Sequence, residues 1–347
     1  MIRPVRYREE EGLLMLIDQR QLPSYNEVEL SDFQETAEAI ETMVVRGAPA
    51  IGITAAYGLV LAMEKASDPN SAFAEAYQRL AETRPTAVNL SWALNRMRER
   101  LLSVSEDSVE GVRDALLEEA NDIYKEELES EQRLGGFGAQ LLEPGTNILT
   151  HCNAGGLATA GYGTALGVIR AAQDQGLNPF IWVDETRPLL QGSRLTAWEL
   201  QREGISFEII VDSAAGSLIR NGQVDVVITG ADRITSAGDV ANKIGTYSLA
   251  VNASRQGIPF YVAAPTSTID LSLHSGEEIP IEERPAEEVT EINGYRPVPE
   301  GAEVYNPAFD VTPAELVDKI ITEEGCFGPP YECKLSRSVE KGKGGQT

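Results

Sequence analysis

Residues 225–246 read DVVITGADRITSAGDVANKIGT. The apolar run at 226–228 is of the kind that makes a strand buried on both faces of a parallel sheet. It breaks at Gly230, and Asp232 follows at once. A second loop carries Gly238 and Asp239, and a helix is expected from near Ala241, with Asn242 and Lys243 at its head. Ligands of open α/β sheets sit outside the carboxyl ends of the strands, which makes Asp232 a candidate site carboxylate. An Asn–Lys pair opening a helix would form an anion grip. Lys243 is one of only four lysines before residue 334. A cation is disfavoured by the dipole at a helix head, so a ligand role suits Lys243 better than surface decoration.

The same rhythm extends outward. After Glu143-Pro144-Gly145, short apolar runs at 147–150, 179–183, 207–211, 224–229 and 260–264 alternate with segments long enough for crossover helices. That alternation predicts a doubly wound, mostly parallel, Rossmann-like sheet. With strand order 3-2-1-4-5, the first and fourth strands are neighbours at the switch point, and Cys152 and Asp232 face one cleft. The first 145 residues read as mostly helical. They begin with a β-hairpin, residues 5–7 and 13–17 flanking a charged turn at 9–12. Ser31 or Asp32 caps a helix with Phe33, Ala37, Ile40 and Val44 on one face. Pro49 fits the first turn of another helix that runs to about Lys65. A further helix ends before Arg84-Pro85-Thr86, and two more occupy roughly 88–102 and 108–142. The expected fold class is therefore α/β: a small, mostly helical N-terminal domain with a β-hairpin at 1–145, then a sheet domain at 146–327. Residues 280–310 read as irregular but packed, and a last helix is expected after Pro313. The segment 328–347 reads as a disordered tail.

Composition narrows the function. A chain of 347 residues with 42% apolar content and 31 glycines fits a folded enzyme. No run of about 18 apolar residues suggests a membrane span, and the charged start MIRPVRYREEEG is not a signal peptide. Three cysteines make no disulfide framework, so a reducing cytoplasm is expected. With 54 acidic and 29 basic residues the net charge is −25, a poor match for nucleic acid. The basic residues are 22 Arg and 7 Lys. An acidic, lysine-poor surface is expected of a protein adapted to high internal salt. At about 1 M salt the Debye length is about 3 Å, so such a body still accepts an anion in a local basic pocket.

Other constellations point to chemistry. His151-Cys152-Asn153 follows the first sheet strand, where a thiol can be activated beside a helix N-terminus; the alternative is a small buried hydrophobe. Two His and three Cys offer no closely spaced ligand pair, so no metal is expected. The glycine-rich run 155–163 resembles a nucleotide-binding turn, and Asp184 stands near where a ribose-binding acid would. The spacing does not give GxGxxG, and a simple phosphate or tight packing suits the run better. Arg46, in Arg46-Gly47-Ala48-Pro49, and Arg84 each lie near a proline in a helix-joining loop. Either guanidinium suits a bidentate phosphate grip, against the alternative of a solvated surface arginine. Asp184–Gly192 can pair its own charges as a structural loop, and Gln191 can reach a sugar hydroxyl.

At these residues the sequence resembles the methylthioribose-1-phosphate isomerase family, within a superfamily that includes the regulatory subunits of the translation factor eIF2B and ribose-1,5-bisphosphate isomerase. The likeness runs from about residue 3 to 325. It is carried by RGAPAIG (46–52), RPTAVNLSWA (84–93), THCNAGGLAT (150–159), ETRPLLQGSRLTAWEL (185–200), TGADRI (229–234), GDVANKIGTY (238–247), APTSTIDLS (264–272) and YNPAFDVTP (305–313). It departs at TSAGD (235–239), where family members often have Asn before the Gly, and in the tail after 328. The resemblance implies a cofactor-independent aldose–ketose isomerase of methionine salvage, a homodimer acting on a small sugar phosphate. By motif, Asp232 is the general acid/base and Cys152 the second catalytic group. Arg46, Gly47, Ala48, Arg84, Gln191, Asn242 and Lys243 bind substrate. The rivals are a ribose-1,5-bisphosphate isomerase and a non-catalytic regulatory subunit; possession of both Cys152 and Asp232 argues against the latter.

Overall fold

The computed structural model describes residues 2–84, 88–104, 108–292 and 294–344, with side chains described as far as 341. Pro85, Thr86 and Ala87 of the RPTAVNLSWA motif lie outside the described residues. The chain forms two compact units, residues 1–133 with 154–167, and residues 134–153 with 168–347. The division thus falls at Arg133 rather than at 145, and a short later segment returns to the first unit.

The first unit opens with β1 (Val5–Arg8), β2 (Leu13–Ile17) and β3 (Glu27–Leu30), an antiparallel sheet in that order. The third strand escapes a hydrophobicity reading because EVEL holds only two apolar residues, of which Leu30 is buried. Asp32 caps α1 (Phe33–Glu41), its carboxylate accepting from the Gln34 and Glu35 amides. Next come α2 (Ala48–Met63), α3 (Pro69–Ala81), α4 (Val88–Ser103) and α5 (Val109–Ala139). Every residue of α2 from Ala50 to Met63 is buried, as a helix apolar all round demands. It is the hub of the unit, with α1, α3 and α4 packed against it.

The second unit contains β4 (Asn147–Thr150), α6 (Ala165–Asp174, only its later turns), β5 (Phe180–Asp184), α7 (Ala197–Glu203), β6 (Phe207–Ile210), α8 (Ala215–Arg220) and β7 (Val226–Thr229). It continues through β8 (Arg233–Thr235), β9 (Val240–Lys243), α9 (Thr246–Gln256), β10 (Phe260–Ala263), β11 (Ile269–Asp270), α10 (Glu287–Thr290), β12 (Phe309–Thr312), β13 (Lys319–Thr322), β14 (Gly325–Phe327) and α11 (Glu332–Gly344). The main sheet has the order β14-β13-β10-β7-β4-β5-β6. Its first five strands in the chain therefore run 3-2-1-4-5, all parallel, as expected. The switch point lies between β4 and β7.

Three expectations fail. The helix placed near Ala241 is instead β9, which pairs with β8 and β12 in a smaller sheet of order β11-β8-β9-β12. Tertiary pairing overrides a locally ambiguous VANK, and the helix starts at Thr246. After Pro313 there is only a short 3-10 turn, followed by β13 parallel to β10 and β14 antiparallel to β13. The segment from 328, expected to be disordered, forms α11 over Glu332–Gly344. Tyr331, Leu335 and Val339 recur at helical spacing and enter the same core as Phe260 and Ile320. Its many charges hid that stripe.

Candidate functional site

Cys152 follows β4 with φ 59°, an uncommon backbone state for a non-glycine residue. Two threonines hold it. The Cys152 amide donates to Thr186 Oγ1 at 2.9 Å, and Thr196 Oγ1 donates to the Cys152 carbonyl at 2.6 Å. Thr186 follows β5, and Thr196 closes the π turn Gly192–Thr196 that leads into α7. That turn packs so tightly on the β5 end that a Cβ at Gly192 would lie 1.7 Å from the Asp184 carbonyl oxygen.

Both neighbours of Cys152 are anchored in buried charge. His151 Nδ1 meets Asp184 Oδ2 at 2.6 Å and Nε2 meets the Ile244 carbonyl at 2.9 Å. A carbonyl only accepts, so Nε2 carries a proton, and Nδ1 faces the Asp184 carboxyl group. Burial alone would lower the His151 pKa; the charge and hydrogen bond of Asp184, with the Ile244 carbonyl, outweigh it and raise it. On the other side, Asn153 Nδ2 donates to Glu199 Oε1 at 2.8 Å, and Arg170 Nη2 donates to Glu199 Oε2 at 2.7 Å. A raised histidine pKa favours the folded state below the unfolded value of about 6.5, and that stability is lost as pH rises through the folded value. The unfolding free-energy gap between wild type and His151→Gln is therefore expected to be widest near pH 6 and to shrink toward pH 9 in urea titrations. A gap independent of pH would contradict the ion pair.

Asp232 follows β7, the neighbour of β4, and its amide donates to the Ala241 carbonyl at 2.9 Å. It is half-buried, as is Cys152. Gln191 heads the π turn, is buried, and its Oε1 has no hydrogen-bond partner among the described residues. Asn242 is buried on β9, donating to Thr246 Oγ1 at 3.0 Å. Lys243 stands at the strand end, not at a helix head, with Nζ 4.8 Å from the centre of its cross-strand partner Phe309. The helix head itself is occupied: Asp310 accepts from the Gly245 amide at 2.7 Å and the Tyr247 amide at 3.0 Å. The anion grip read into this helix start is thus filled by a carboxylate of the chain.

The remaining candidates belong to the first unit. Arg46, Gly47 and Ala48 lead into α2, and Arg84 follows α3; both arginines are half-buried. Gly47 has φ 95°, and a Cβ there would lie 2.4–2.5 Å from three atoms of Ala158. Gly47→Ala is expected to cost about 1–3 kcal/mol of stability. Gly145→Ala, at positive φ but with no atom within 4 Å of its Cβ, should cost less. Thermal unfolding of the two variants checks this.

The glycine-rich run is not a phosphate loop. Glu131, buried on α5, accepts from the Ala160, Tyr162 and Gly163 amides at 2.6, 2.7 and 2.5 Å and from Thr159 Oγ1 at 2.7 Å. Burial pushes its pKa up, against the pull of these four donors. Tight packing was the other reading, and it holds: a Cβ at Gly156 would lie 2.3 Å from the Gly161 carbonyl oxygen. Asp184 likewise serves His151 and Thr186. Sequence reasoning gave no role to His151, Thr196, Asn153, Glu199, Glu131 or Asp310, although three of the quoted motifs contain five of them.

These features define a doubly wound α/β protein with a cysteine and an aspartate at the switch point of its sheet. The chain belongs to the initiation factor 2 subunit family, whose profile matches residues 44–329. It is 54% identical over 338 residues to a methylthioribose-1-phosphate isomerase of Pelotomaculum thermopropionicum, covering 95% of this chain and 92% of that one. Another isomerase of that name, from Thermosipho africanus, is 54% identical over 334 residues, 94% of this chain and 96% of that one. Among solved structures, 5-methylthioribose 1-phosphate isomerase from Pyrococcus horikoshii OT3 superposes with TM-score 0.92 at 46% identity, over 98% and 96% of the two chains. A structure described as translation initiation factor eIF-2B, subunit delta, from A. fulgidus gives TM-score 0.88 at 43% identity, over 98% and 100%.

Proposed function

We propose that this chain is an aldose–ketose isomerase that converts 5-methylthioribose 1-phosphate to 5-methylthioribulose 1-phosphate in methionine salvage. One observation carries the reading: Cys152 and Asp232 follow the adjacent parallel strands β4 and β7, where the winding of the sheet reverses. The near full-length identity to isomerases supports it.

The chemistry accounts for the two groups. Phosphate on the anomeric carbon stops the ring from opening as a free aldose does. One proton must reach the ring oxygen, one must leave the C2 hydroxyl, and one hydrogen must move from C2 to C1. Asp232 is the general acid/base, and Cys152 is the second group at the reacting carbons. Gln191, with its partnerless buried oxygen, accepts a hydrogen bond from a sugar hydroxyl. Asn242 and Lys243 contribute from β9, and Arg46, Arg84 and the Gly47 and Ala48 amides bind phosphate. No cofactor or metal enters this reading. It includes a cytoplasmic homodimer; the net charge of −25 and the scarcity of lysine support work at high internal salt.

A second reading, a non-catalytic subunit of a translation factor, is favoured by the 43% identity to the A. fulgidus protein described in those words. Steady-state assays with methylthioribose 1-phosphate and ribose 1,5-bisphosphate separate the possibilities. Turnover of the first only is expected. Turnover of the bisphosphate alone would change the substrate, and turnover of neither would move the protein to the binding role.

A further inference from the structure

We propose that Thr186 is a positioning residue for Cys152, its hydroxyl fixing the left-handed backbone that aims the thiol. This rests on the isomerase reading for its kinetic consequence, but not for its geometry. The hydroxyl of Thr186 works in both directions. It donates to Asp184 Oδ1 at 2.7 Å, which leaves its lone pairs for the Cys152 amide at 2.9 Å. Asp184 cannot drift, because its other oxygen is held by His151, and His151 is pinned in turn by the Ile244 carbonyl. His151, Asp184 and Thr186 are 3%, 1% and 0% exposed, so water is no substitute partner.

Thr186 is itself held in an uncommon state, φ 61°. Its amide donates to Asp212 Oδ1 at 2.6 Å, and the next amide, of Arg187, donates to Asp212 Oδ2 at 2.7 Å. The line therefore runs from the β6 end, through Thr186 after β5, to Cys152 after β4. Strained backbone persists only where its surroundings over-determine it. Here two residues at positive φ face each other through one hydroxyl, and one of them bears the thiol.

The test uses full-length Thr186→Ser, Thr186→Val and Thr186→Ala. Serine keeps both hydrogen bonds, valine keeps shape and loses both, and alanine replaces valine if that variant does not fold. In the isomerase assay valine or alanine should lower kcat by about 30-fold or more with KM within about twofold, and serine should stay within about threefold of wild type. Iodoacetamide labelling followed by peptide mass spectrometry gives a readout free of substrate. The rate at Cys152 should shift by about fivefold or more in valine or alanine but not in serine, while exposed Cys333 is unchanged in all. A wild-type labelling rate and kcat in the valine or alanine variant would overturn the proposal, as would serine failing alongside them. If wild type itself turns over no sugar phosphate, the functional reading fails and the labelling ratio alone decides the positioning role.

Discussion

Asp232→Asn is expected to lower kcat by about 10²–10⁴-fold, the range of a lost general acid/base, with the unfolding transition unchanged. The substitution is nearly isosteric. The Asp232 amide donates to the Ala241 carbonyl, a bond that Asn keeps. A half-buried carboxyl group at the end of β7 supports proton exchange with a ring oxygen; an amide there cannot ionise. Steady-state kinetics and circular dichroism on the same preparation separate chemistry from folding. A kcat within tenfold of wild type would remove Asp232 from the mechanism.

Arg170→Leu is expected to be the most damaging of these changes for the fold, at about 3–5 kcal/mol. Arg170 bridges Glu199 Oε2 at 2.7 Å and Glu203 Oε2 at 2.8 Å. Glu199 is fully buried, so the substitution strands its charge. Removing one partner of a buried pair costs more than removing both, because the penalty is the uncompensated ion. Adding Glu199→Leu to Arg170→Leu should therefore recover part of the loss, even though Asn153 then loses an acceptor. Urea unfolding of the single and double variants measures this. An additive loss would mean that the two residues are not energetically coupled and would contradict the buried pair.

What was legible in the sequence follows physical lines. The five parallel strands could be read because strands buried on both faces appear as continuous apolar runs. The 3-2-1-4-5 order followed from crossovers long enough to be helices. β9 and β13 could not be read. VANK and KIIT are four residues each, and their structure is decided by partners far along the chain. The segment after 328 reads as a disordered terminus, although Tyr331, Leu335 and Val339 have the spacing of a buried helical face.

The sequence pointed to candidate reactive groups more than to what holds them. Cys152 and Asp232 stood out because reactive residues just past buried strands are a recognisable placement. Their fastening did not. Glu131 precedes the amides it binds by 29 to 32 residues, and a glycine-rich run says that amides converge without saying on what. A carboxylate or a phosphate satisfies the same nest. Similarly, Asp310 was seen only as part of YNPAFDVTP, whereas it caps the helix start that had been read as an anion site. The His151–Asp184 contact joins two strand ends 33 residues apart, and no local pattern announces it.

The central claim, that Cys152 and Asp232 together run an aldose–ketose isomerisation, is tested most directly by phosphorus NMR. Purified wild type, Cys152→Ser and Asp232→Asn are each followed with methylthioribose 1-phosphate in high-potassium buffer. The account predicts that the anomeric phosphate signal gives way to that of a primary ketose phosphate in wild type, and persists in both variants. A wild-type signal that never changes would contradict the function. Conversion surviving in the variants would keep the function and remove the two residues from its mechanism.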